Sequence, residues 1–121
     1  MQLAAVHFTE KPVVILDEDE LSNIITKRIE CCLNEIKRRY SDFPSVKLND
    51  FHYMINGPED EVAHTNTKGN MFIDVIHILS ENDSELMDTI IHEVGHKILG
   101  KGHNKKWKEW MIKYGGRPTL R

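Results

Sequence analysis

The 121-residue chain predicts an α+β fold in one domain spanning 1–121, on three observations. Apolar side chains recur at three- and four-residue steps over residues 21–40. They alternate with polar ones over much of 46–79, and the helical step returns over 82–114. The order is helix, small sheet, helix, helix, with no repeat or low-complexity linker to divide it. With 40% hydrophobic and 29% charged residues, the composition is ordinary for a globular chain with a single modest core.

The elements follow in order. "PVVIL" at 12–16 is β-prone and predicts a short strand. "DEDE" at 17–20 puts acids where a helix N-terminus favours them. Leu21, Ile24, Ile25, Ile29, Cys32, Leu33, Ile36 and Tyr40 then line an amphipathic helix of about six turns, ended by "SDFPS". Val46, Leu48, Phe51, Tyr53 and Ile55 alternate, with a slip near Asn49–Asp50 that predicts a bulge or a turn. "NGPED" is a turn. "EVAHTN", "TKGN" and "MFIDVIHIL" read as strand, turn, strand, a hairpin in a mostly antiparallel sheet that carries His64 and His77.

A further helix runs from Asn82 or Ser84 to Leu99, with Met87, Ile90, Ile91, Val94 and Ile98 as its buried stripe and Gly100 as its cap. The last helix runs from Asn104, as N-cap, to Tyr114, with Trp107, Trp110, Met111 and Tyr114 on one face.

No apolar run approaches membrane-span length, and the N-terminus lacks the pattern of a signal peptide. Cys31 and Cys32 are adjacent, which is not zinc half-site spacing, and read as reduced core residues. Together these predict an intracellular, cytoplasmic protein with no membrane partner. Charge is uneven: residues 97–121 hold eight Lys/Arg and one acid, against eight and eighteen in the remainder. That density reads as a solvated helix face or as a surface for an acidic partner such as DNA. Lys105, Lys106 and Lys108 crowd the first turn of the last helix, where positive charge opposes the helix dipole.

The chemistry concentrates in "HEVGHKILGKGHNKKW", residues 92–107. Histidines four apart on a helix share a face, about 6 Å apart, so His92 and His96 can reach one metal. Glu93, rotated about 100°, can serve a water there without displacing a histidine. Along an unbroken helix His103 would lie about 10.5 Å beyond His96. The chain must therefore reverse, and Gly100 and Gly102 supply the conformational freedom for it. Gly95, costly mid-helix, predicts close approach of another segment. Three histidines without a nearby cysteine leave a fourth metal position open, the arrangement of catalytic rather than structural zinc.

These residues resemble the SprT-like zinc metallopeptidases, in a minimal gluzincin-type HExxH form. The matching elements are His92, Glu93, His96, the Gly102–His103 pair, Trp107, Met111 and Gly115–Gly116, within the last thirty or so residues. The resemblance implies a compact zincin core around the HExxH helix, Zn²⁺ held by His92, His96 and His103, and peptide-bond hydrolysis. Glu93 would be the general base and zinc-bound water the nucleophile. It also implies a protein or peptide substrate laid along an edge strand, here "GNMFIDV" or "EVAHTN", and some such relatives act on DNA-bound proteins. Tyr53, His64 and Tyr114 are candidate oxyanion donors, and His64 and His77 are backup ligands. The alternatives are a zinc-dependent DNA- or protein-binding module without proteolysis, and a latent protease whose tail "GGRPTLR" covers the metal.

Overall fold

The computed structural model describes residues 2–3, 16–55 and 61–118. Two short strands, β1 (Gln2–Leu3) and β2 (Leu16–Asp17), pair antiparallel ahead of helix α1 (Glu18–Arg39). A 3₁₀ turn at Leu48–Asp50 leads into β3 (Phe51–Met54), followed by β4 (Ala63–Thr65) and β5 (Met71–Asp74). Helices α2 (Val75–Ser80), α3 (Asp83–Leu99) and α4 (Lys105–Lys113) complete the α+β order. The three-stranded sheet has the order β3-β5-β4 and is mixed: β3 runs parallel to β5, and β4 antiparallel. Of the strand expected at 12–16, residues 12–15 lie outside the described residues, as do the "NGPED" turn and residues 119–121. Among the described residues, no helix is long and apolar enough to cross a membrane.

Helix α3 is the hub, packing against α1, α4, β4 and β5. All ten residues from Leu86 to Gly95 are therefore buried, including the polar Asp88, Thr89, His92 and Glu93. Buried polar groups need partners, so this helix organises the interior chemically as well as sterically. Its start is capped by Asn82, whose side chain accepts from the Glu85 N–H at 2.9 Å. Leu21, Ile25, Ile29, Cys32 and Ile36 pack the expected face of α1 into the core, while Ile24 stays outside at 43% exposure. The slip at Asn49–Asp50 is the 3₁₀ turn.

Further expectations are corrected. Residues 75–79 do not continue the strand. The Asp74 side chain accepts from the His77 N–H at 3.1 Å and starts α2, so His77 sits on a helix. A short apolar run does not distinguish a strand from a helix; here the local cap decides. Ile98 is 46% exposed, while the neighbouring Leu99 packs against the core in its place. Cys31 is exposed while Cys32 is buried, as adjacent helical positions about 100° apart allow. Finally, "GNMFIDV" contributes β5, the central strand; among the described residues the edge strands are β3 and β4.

Candidate metal centre

α3 brings His92 and His96 to one face, and the chain then stops being helical at Leu99. Gly100 (φ +88°, ψ −174°) and Gly102 (φ +97°) make the reversal in backbone regions that side chains disfavour. Asn104 starts α4 by accepting from the Trp107 N–H at 3.0 Å. The result returns His103 to the first two histidines. The Nε2 atoms lie 3.1 Å apart for His92–His96, 3.2 Å for His96–His103 and 3.4 Å for His92–His103. Nitrogens bound tetrahedrally at about 2.0–2.1 Å from zinc sit about 3.3–3.4 Å from one another. The histidine triad fits that spacing closely.

The tautomer fits as well. His96 Nδ1 lies 3.1 Å from the Gly100 carbonyl, which can only accept, so Nδ1 carries the proton and Nε2 keeps its lone pair for a metal. Behind the cluster the fully buried Trp107 touches all three rings, with centroids 4.8, 5.6 and 4.4 Å from His92, His96 and His103. Trp110 donates its indole N–H to the Ile91 carbonyl at 2.9 Å, fixing α4 against α3. Gly95 is where the two helices meet: a Cβ there would lie 2.8 Å from Trp110 and 3.2 Å from Trp107.

Glu93 is 2% exposed. Its Oε2 lies 3.7 Å from His92 Nε2, and its Oε1 accepts from the Thr65 hydroxyl at 2.9 Å. The same hydroxyl is 3.1 Å from the Glu93 carbonyl. Nothing in the sequence marks Thr65, because its role depends on β4 crossing beside α3, a contact between residues 28 positions apart.

A cleft of about 1150 Å³ opens onto the cluster, walled on one side by residues 61–67 around β4 and on the other by α3 and the Gly100–His103 turn. Of the oxyanion candidates, His64 lines this cleft from the other face of the sheet. There its ring stacks on Phe72 at 4.8 Å, and Nδ1 lies 3.1 Å from a Glu61 carboxylate oxygen. Tyr114 is instead packed against Tyr40 and Phe43, with its hydroxyl toward Asp42. Tyr53 lines a separate, smaller cavity beside α1. His77 Nε2 bonds Thr89 Oγ1 at 2.8 Å. Among the described residues, His92, His96 and His103 form the one group of three ligand-type side chains able to share an ion.

The basic segment divides in two. Lys97 pairs with Asp50 and the Gly69 carbonyl, Lys113 with Asp42, and Arg117 with Glu85 and Asp88. Lys101, Lys105, Lys106 and Lys108 are exposed. The tail through Pro118 contributes nothing to the lining of the cleft.

Comparison of the chain with protein-family models, curated proteins and solved structures finds no match.

Proposed function

We propose that this protein is a zinc-dependent metalloendopeptidase. The observation that carries the reading is the convergence of three histidine Nε2 atoms at zinc-ligand spacing beside a buried glutamate, at the floor of an open cleft. His92, His96 and His103 would hold the ion. Bound there, zinc supplies Lewis acidity, lowering the pKa of water and polarising a carbonyl.

The chain's own groups do the rest. Glu93 Oε2 faces the cluster and takes a proton from the attacking water, then returns it to the leaving amine. Among the described residues no strand pairs with the outer edge of β4, which would offer backbone N–H and C=O groups to an extended peptide and give sequence-tolerant binding. Trp107 closes the back of the site to water and holds the three imidazoles in place.

The test is Glu93→Gln. The amide cannot accept the proton, so the variant should retain zinc and lose cleavage of an unfolded protein substrate. Cleavage at the wild-type rate would remove Glu93 from the chemistry. Zinc binding without cleavage by either form would favour a binding module, for which the exposed Lys101, Lys105, Lys106 and Lys108 are the available surface.

A further inference from the structure

We infer that Thr65 is a positioning residue: from edge strand β4, its hydroxyl holds the Glu93 carboxylate in the orientation that proton transfer at the histidine cluster requires. The inference rests on the hydrolase reading and adds to it a residue outside the HExxH helix.

A helical glutamate has three side-chain torsions and can turn toward solvent or toward neighbouring ring nitrogens. Here the Thr65 hydroxyl lies 2.9 Å from Oε1 and 3.1 Å from the Glu93 carbonyl. It carries one proton, and the nearer acceptor, the charged carboxylate oxygen, makes the stronger bond, so the strand is tied to the carboxylate itself. With Oε1 engaged, Oε2 is the oxygen that faces His92 Nε2, at 3.7 Å.

Strand alternation makes the arrangement rigid. Thr65 pairs with the fully buried Met71 and so lies on the sheet face packed against α3, while His64 stacks on Phe72 on the other face. A β-branched side chain in a strand has little χ1 freedom. The same strand that offers its edge to a peptide therefore aims the base. A misplacement of about 1 Å at such a group can cost about 100-fold in rate.

The test compares Thr65→Val, which removes the O–H at nearly constant shape, with Thr65→Ser, which keeps it. Zinc content, steady-state kinetics on an unfolded protein, and crystal structures of the zinc-loaded variants are the readouts. Thr65→Val should bind a full equivalent of zinc and lose about 10- to 100-fold in kcat, with KM within about 3-fold of wild type. Thr65→Ser should recover to within about 3-fold. In the Thr65→Val crystal structure the Glu93 carboxylate should be displaced or split between rotamers. An unchanged kcat, a loss that serine does not rescue, or an unmoved carboxylate would each overturn the inference. If Thr65→Val folds poorly, Thr65→Ala against Thr65→Ser makes the same comparison. If the wild type cleaves nothing, the hydrolase reading fails alone, and the position of the carboxylate still decides whether Thr65 holds Glu93.

Discussion

Gly95 faces Trp110 so closely that a Cβ on Gly95 would lie 2.8 Å from the indole Cδ1 and 2.9 Å from Nε1. The glycine that weakens α3 locally is what lets α4 dock and Trp107 reach the histidines. Alanine at this position would gain about 1 kcal/mol in helix propensity. It would also force the two tryptophans outward, at about 1–3 kcal/mol for overpacking. Gly95→Ala should therefore be less stable in urea titration and bind zinc more weakly. Wild-type values for both would mean that the tryptophans repack without cost.

Gly100 presents the opposite case. A Cβ there would meet nothing within 4 Å, yet its φ of +88° with ψ of −174° is almost exclusive to glycine. Gly100→Ala should cost about 1–3 kcal/mol through backbone strain alone. Relief of that strain moves the turn that carries His103, so zinc affinity should fall more than stability does. Competition with a chromogenic chelator measures it, and unchanged affinity would uncouple the turn from the site.

Purified protein should carry about one zinc per chain by elemental analysis, and zinc should raise the melting temperature in a concentration-dependent way. His92→Ala, His96→Ala and His103→Ala should each lose most of the metal, while His64→Ala and His77→Ala should keep it. Retention of zinc by the His103 variant would remove the third ligand.

The two cysteines should behave differently. Burial, reinforced by the charge of Asp83 and opposed by Arg28, pushes the Cys32 thiol up to about 11, so it stays protonated and unreactive near neutral pH. Cys31 is exposed. A thiol reagent at pH 8 should label one cysteine in the folded protein and two in denaturant. Rapid labelling of both in the folded state would place Cys32 in contact with solvent.

Arg117 ties the chain end to α3. Its N–H donates to Asp88 Oδ1 at 2.6 Å, and its guanidinium pairs with Glu85 and Asp88. Ending the chain at Gly116 removes these bonds from a carboxylate that is 9% exposed, at about 1–3 kcal/mol. The melting temperature should drop and the proteolytic rate should not rise. A faster truncated protein would support a tail that covers the cleft.

What the sequence determined was local. The periodic apolar stripes of α1 and α3, the Asn82 and Asn104 caps, and the glycines at 100 and 102 all act within a few residues of themselves. Spacing alone was thus enough to reveal α1, α3 and α4, and to show that His92, His96 and His103 can converge if the chain reverses at Gly100–Gly102. The tertiary structure decided what depends on contacts between distant residues. It made α3 a hub, put β5 between β3 and β4 with β4 at an edge among the described residues, and seated Tyr114 among aromatic rings instead of in the cleft. It also brought Thr65 to Glu93 across 28 positions. One local feature escaped the periodic reading: Val75–Ile78 suits a strand by composition, and the Asp74 cap makes it helical. A hydrogen bond inside one helix turn is written in adjacent residues, whereas a strand edge or a positioning hydroxyl exists only once separate elements have packed together.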